Sequence, residues 1–357
     1  MKERLLRFDI IRIVAICMVL MIHITVLPVL FSADTRSAGF ILSNIINGIG
    51  RAGVPMFLML SGALLLDDSR KIDAKKFYRK SFFPIVVLLL VWLLFYACWR
   101  SFLLPAITGQ PVENGHFLKY VLTLTGLYPH LWYLFALVGI YLAVPVLRLF
   151  VKKENRNYIL GIIILSLIAR FGTQTLGVFT RNSEIKIGDF MTKFHLEYAT
   201  GFFPYLLMGW YINSFPPKKE HRTLIYLAGA AALIGSILSV QVFIREIPDI
   251  FDYVMEAFTL PAAVYGIAVF TLICDLVKDK KTESKLVAEL SQSSFGVYIL
   301  HVVVLDLLTW KLFPLYGYTM NPVFYLLVLF VLTYAACLIV VLPLSKVQGV
   351  RKLFHYK

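Results

Sequence analysis

Charge is scarce in this sequence. Asp, Glu, Lys and Arg make up 16% of its 357 residues, where an ordinary soluble domain carries about 25%, so too few polar side chains are present to wet the surface of a globule. Cysteine is nearly absent as well. Cys17, Cys98, Cys274 and Cys337 lie inside or at the edge of apolar stretches without paired spacing, which argues for small buried side chains and against a disulfide framework or a metal site. There is no internal repeat, no low-complexity tract and no long linker. Solenoids and strings of modules are thereby excluded, and one membrane domain over residues 1–357, with no soluble domain appended, is expected.

What is abundant is apolar side chain: 59% of residues are hydrophobic and 15% aromatic. Runs of about 20 apolar residues, long enough for a helix to cross the hydrocarbon, recur along the whole chain. Ten are placed, at 8–30, 41–66, 82–104, 131–151, 158–176, 198–215, 224–244, 251–277, 291–313 and 323–347. Their hydrophobicity is continuous rather than alternating, and backbone in lipid must satisfy its own hydrogen bonds, so the runs predict helices and not barrel strands. The fold class expected is an all-α integral membrane protein of about ten transmembrane helices. The N-terminus is not a cleaved secretory signal, because its apolar run is interrupted by Asp9 and Arg12, is too long, and lacks a small-x-small site after it.

The bases fall on one side of this frame. Arg4 and Arg7, then Arg70 to Lys80, Arg148 to Arg156, Lys218 to Arg222, Lys278 to Lys285 and Lys346 to Lys357 all lie in loops that share a side with the N-terminus. By the positive-inside rule both termini are cytoplasmic, which requires an even number of helices. Basic loops against anionic headgroups account for the net charge of +14 without nucleic acid. The cluster at 70–80 also suits a phosphorylated ligand.

Ionisable groups inside the apolar runs are costly, at least ~2.5–3.5 kcal/mol each on insertion scales, and therefore mark cavities or partners. Arg12, His23, Arg51, Arg170, Glu256, His301 and Asp306 are such groups. Arg12 and His23 are eleven residues apart, which is three turns plus about 20° and ~16 Å of rise, so they share a face. Asp9, three residues before Arg12, is within reach of it. Two readings of Asp9 and Arg12 stand, an ion pair that anchors the helix and the inner end of a functional face. His23 is likewise either bonded to a neighbouring helix or functional. In the ninth run Ser294, Tyr298 and His301 form one polar stripe at i, i+4 and i+7. Asp306 falls on a different face, and a structural role is expected for it.

These residues also carry a resemblance. Arg12 and His23 in the first helix, "RAGVPMFLMLSGALLL" from Arg51 to Leu66, "HLWYLFALVGIYLAVPVLR" from His130 to Arg148 and "SFGVYILH" ending at His301 occur in order over nearly the whole chain. The chain resembles the acyltransferase 3 family of integral membrane acyltransferases, and most of all its stand-alone members that O-acetylate bacterial surface glycans. The family usually has closely spaced arginines before a proline in its third helix. Here "KKFYRKSFFP" offers Lys76, Arg79 and Lys80 instead.

The resemblance implies acetyl-CoA, or another short acyl-coenzyme A, as a cytoplasmic donor, with no metal. The acceptor it implies is a hydroxyl of a surface glycan or lipid-linked sugar, in a bacterial-type inner or plasma membrane. Arg12 would hold the donor's pyrophosphate or amides, Arg79 and Lys80 its phosphates, and His23 would be the general base, since imidazole titrates near neutrality. Arg51, Trp132 and Tyr133 would shape the acyl pocket or acceptor side, although position alone equally suits Trp132 and Tyr133 to an interfacial aromatic belt. Ser61, Ser294 and Tyr298 are conceivable relays, and His301 would serve substrate, proton or structure. A second copy of the chain is a further possible partner. A proton-coupled transporter or polysaccharide exporter, built on the same buried histidines and acids, is the alternative.

Overall fold

The structure is a computed structural model, and it describes residues 4–31, 34–67, 73–109, 114–123, 128–183, 202–316 and 321–354. Lys2, Arg70 and Lys71, and parts of the expected outer loops around 105–129 and 177–196, lie outside the described residues. Among the described residues the chain is helical, with one isolated antiparallel bridge between Leu5 and Lys281. Nine helical spans there are long and apolar enough to cross a membrane, and the protein is a multi-pass, all-α membrane protein. Of the expected segment 198–215, the described part is a shorter helix, Phe203–Ser214.

The helices are α1 (Leu6–Phe31), α2 (Ala38–Gly50), α3 (Gly53–Leu65), α4 (Ala74–Thr108), α5 (Asn114–Thr123), α6 (Trp132–Phe150) and α7 (Lys153–Thr180). They continue as α8 (Phe203–Ser214), α9 (Lys219–Phe243), α10 (Ile250–Val254), α11 (Leu260–Val277), α12 (Lys285–Tyr316), α13 (Pro322–Leu344) and α14 (Arg351–Phe354). Helix α1 is central: it packs on α2, α3 and α12, with further contacts to α11 and α13.

Two of the expected segments are broken. Residues 41–66 form α2 and α3, with Arg51 and Ala52 in a turn between them. Pro55 explains the break, because it has no N–H for the Arg51 carbonyl and its ring crowds that carbonyl. Residues 251–277 likewise form α10 and α11. The second of these starts afresh at Thr259, whose side chain accepts from the Ala262 N–H (3.4 Å), with Pro261 in the first turn.

Prolines also shape α4, which is longer than the expected 82–104. Asp73 caps its start by accepting from the Lys76 N–H (3.1 Å), and Gly109 closes its end in the left-handed region at φ 73°. Immediately before Pro84 and Pro105 the helix widens into π turns, where the N–H of Phe83 reaches the Tyr78 carbonyl and that of Leu104 reaches the Trp99 carbonyl.

Glycines set the distance between α1 and the break. A Cβ at Gly50 would lie 2.7 Å from the Met18 carbonyl oxygen, and one at Gly53 would lie 2.8 Å from that of Ala15. Only glycine allows the α2–α3 turn to close on α1 one to two turns before His23.

Candidate active site

The polar face of α1 begins at a saturated carboxylate. Asp9 is 1% exposed and accepts five hydrogen bonds. Arg4 supplies two, Nε at 3.1 Å and Nη2 at 2.5 Å. The Thr282 and Ser291 hydroxyls donate at 2.6 Å each, and Arg12 contributes one longer bond, Nη1 at 3.3 Å. The chain before α1 is also pinned by backbone bonds, Leu6 N–H to the Lys280 carbonyl (2.8 Å) and Thr282 N–H to that of Arg4 (3.0 Å). Asp9 and Arg12 are therefore paired, as their spacing predicts, but Arg4 is the closer partner. Two guanidinium groups share one carboxylate, which leaves a positive charge in excess beside Arg12.

Three turns along α1, His23 meets two other imidazoles. Its ring centroid lies 4.7 Å from that of His301 on α12 and 6.3 Å from that of His130, while His130 and His301 are 5.3 Å apart. His301 is fully buried, and its Nδ1 lies 2.5 Å from the Tyr298 carbonyl oxygen. A carbonyl can only accept, so Nδ1 carries the proton and Nε2 holds the lone pair in the neutral ring. His130 stands in a short 3₁₀ turn, Pro129–Leu131, that leads into α6. Its main chain is fixed by the Tyr298 hydroxyl, which donates to the His130 carbonyl at 2.6 Å. Tyr128, immediately before this turn, donates its hydroxyl to Asp306 at 2.6 Å, alongside Trp99 Nε1 at 2.9 Å.

Beside His23 and His130 lies a cavity of about 30 Å³ lined by Val19, His23, Val54, Phe57, His130, Trp132, Tyr133 and Tyr298. Apolar walls with a few convergent polar groups are the ordinary make-up of a small-molecule site. Among the buried nitrogens with no hydrogen-bond partner are Nδ1 and Nε2 of His130 and Nε2 of His301. Among the described residues, no group of three His, Cys, Asp or Glu side chains is set to hold a metal ion. The arrangement instead offers imidazole nitrogens for proton transfer and hydrogen bonding.

The other sequence-predicted residues fall at varying distances from this centre. Trp132 and Tyr133 line the cavity with Tyr298; Trp132 is 38% exposed and stacks on Phe202 (5.5 Å). Arg51 sits at the α2–α3 turn, where its Nε donates to Asn47 (2.9 Å), its Nη1 meets Glu256 (3.3 Å), and its guanidinium covers the Phe251 ring (4.3 Å). It does not line the cavity. Ser294 gives its proton to the Ser291 carbonyl (2.7 Å) and Ser61 to that of Phe57 (2.9 Å), so both hydroxyls are engaged within their own helices. Arg79 and Lys80 are exposed in the π turn near the start of α4. Phe77 of the same helix stacks on Tyr141 (5.9 Å). Asp306 holds Trp99 and Tyr128 rather than a histidine.

His130 was not expected from its sequence context. It stands at the edge of an apolar run, next to a proline, where histidine is unremarkable. The available signals are that it heads the "HLWYLF" motif and is a further histidine bordering an apolar segment that also carries Trp132 and Tyr133.

A family model described as an acyltransferase domain matches residues 5–342. No curated protein and no solved structure matches the chain. The matched span holds Arg12, all three clustered histidines and every residue that lines the cavity, and on that evidence the chain belongs to the acyltransferase 3 family of membrane acyltransferases.

Proposed function

We propose that this protein transfers an acetyl or other short acyl group from acyl-coenzyme A, entering from the cytoplasmic side, to a hydroxyl of a surface glycan or lipid-linked sugar. The observation that carries this reading is the face shared by Arg12 and His23. One end holds a cation whose nearest carboxylate is already taken by Arg4, and the other opens on a small cavity. A cation with spare donors suits the phosphates or amides of the donor. A small cavity beside His23 and His130, about 30 Å³, with apolar walls and few polar groups, suits a short acyl group.

In this mechanism His23 takes the proton of the acceptor hydroxyl as its oxygen attacks the thioester carbonyl, and returns it to the departing thiolate. Arg12 anchors the donor. Arg79 and Lys80, with Lys76, meet its outer phosphates as point charges in water. Trp132 and Tyr133 enclose the acyl group or the acceptor ring, and Tyr298 closes the cavity beside His130. The positive-inside pattern supports cytoplasmic termini, and the resemblance to bacterial surface-glycan O-acetyltransferases supports a bacterial-type plasma membrane.

Titration of acetyl-coenzyme A into the purified protein tests the donor assignment. Wild type should bind, Arg12→Lys should bind several-fold more weakly because it loses the planar fork, and Arg12→Ala more weakly still. Binding through Arg79 and Lys80 should fade as salt rises, since exposed charges are screened over ~8 Å at physiological ionic strength. No binding to wild type, or equal binding in all three proteins, contradicts a donor site at Arg12. Absence of binding would move the transporter reading ahead of the enzyme.

A further inference from the structure

We propose that His130 is a second substrate-contacting residue, one that donates a ring N–H to the acyl carbonyl oxygen and stabilises the oxyanion formed when the acceptor attacks. The proposal rests on the acyltransferase reading above and extends it to a residue that neither the α1 motif nor the polar stripe of α12 includes.

The first ground is an unmet hydrogen-bonding demand. His130 is 3% exposed, yet neither ring nitrogen has a partner. Leaving a buried polar atom unpaired costs about 1–3 kcal/mol, and unlike the unpaired atoms elsewhere in the fold, such as Trp210 Nε1 and Thr333 Oγ1, those of His130 belong to a ring that borders a cavity. The ring lines the same cavity as His23, so a ligand there is within reach of it.

The second ground is the way the ring is held. Its main chain accepts from Tyr298, its own turn is tied at its start through Tyr128 to Asp306, and its ring packs edge-on against Tyr96 (4.9 Å) and Tyr298 (5.8 Å). These contacts fix the imidazole without using its nitrogens. A donor that need not reorganise as charge develops is what transition-state stabilisation requires. The turn also leads into the N-terminus of α6, 19 residues long, whose dipole favours negative charge at that end.

The third ground is division of labour among the imidazoles. A neutral imidazole has one N–H and one lone pair. His301 spends its N–H on the Tyr298 carbonyl, so its free Nε2 can only accept while the ring is neutral. His130 has both positions open and can supply the N–H that an oxyanion needs, as neutral imidazoles do elsewhere. His23 then keeps the role of base. In the step, the acceptor oxygen forms its bond to the carbonyl carbon while its proton passes to His23. The carbonyl electron pair moves onto oxygen, where His130 meets it. When that pair returns, the carbon–sulphur bond breaks and the thiolate takes the proton from His23.

The test compares two donor analogues by calorimetry. One replaces the thioester sulphur of acetyl-coenzyme A by a methylene and keeps the carbonyl; the other is S-ethyl coenzyme A, which has no carbonyl. Wild type should prefer the ketone by about tenfold. His130→Phe, which keeps the ring and removes the donor, should bind both alike, and His130→Gln, with an amide donor, should recover part of the preference. With acetyl-coenzyme A as substrate, His130→Phe should lower kcat by about 10²–10³, raise KM by no more than the roughly tenfold lost in ketone affinity, and preserve the shape of the pH profile. Thermal unfolding of both variants establishes that they are folded, and the Gln variant carries the comparison if Phe is not accommodated. A ketone preference that survives in His130→Phe or is missing from wild type, or unchanged kcat in both variants, overturns the proposal. Failure of wild type to bind either analogue removes the donor reading itself, and this role with it.

Discussion

The two ends of the polar face of α1 are built in opposite ways. At the N-terminal end Asp9 accepts five hydrogen bonds, more than the roughly four lone-pair directions of a carboxylate provide for. At the other end, around His23, three buried imidazole nitrogens have no partner. Both ends are polar groups in apolar surroundings, and their sequence signature is the same: an ionisable residue where none belongs. Satisfaction separates them. A saturated cluster ties together elements distant in the chain, here α1, the stretch around Lys281 and α12. An unsaturated one is stable only because the rest of the fold supports it, and its open valences point to what it binds.

That contrast makes the two ends respond differently to mutation. Asp9→Ala has the largest expected effect on stability, since it leaves two arginines and two hydroxyls without their shared acceptor. Breaking such a pair costs about 3 kcal/mol, and the melting temperature in detergent should fall by several degrees, whereas His23→Ala should leave it nearly unchanged. An Asp9→Ala protein as stable as wild type would remove the distinction. A smaller effect is expected at the joint between cavity and scaffold. Tyr298→Phe keeps the ring against the cavity and loses only the bond to the His130 carbonyl, so stability should drop by about 1 kcal/mol. Turnover should drop by about tenfold as the turn at Pro129 relaxes. Unchanged turnover, measured as release of free thiol from acetyl-coenzyme A, would show that this bond does not position His130.

How much of this was legible in the sequence depends on whether the information was local. Spans such as α9 and α13 follow directly from length and hydrophobicity. The breaks at Arg51 and before Thr259 were missed because hydrophobicity runs through them without a pause, and Pro55 and Pro261 act on hydrogen bonds rather than on polarity. The Arg12 and His23 face was readable because eleven residues nearly close three turns. The stripe on α12 was readable for the same reason, but it placed together residues with different fates. Tyr298 lines the cavity, His301 packs on His23, and Ser294 bonds to a carbonyl of its own helix. His130 reaches the site by packing across helices, and although it heads one of the family-like motifs, no periodicity in "YPHLWYL" links it to the faces of α1 and α12.

The central claim is that the open end of the face is where acyl transfer takes place, with His23 as base. It is tested most directly by following free-thiol release from acetyl-coenzyme A by purified wild type and His23→Ala, in the presence of a sugar acceptor, with thermal unfolding recorded for both. The account predicts acceptor-dependent release by wild type and a loss of at least about 10² in His23→Ala, at unchanged stability. Equal rates in the two proteins, or no release by wild type despite bound coenzyme A, would contradict it.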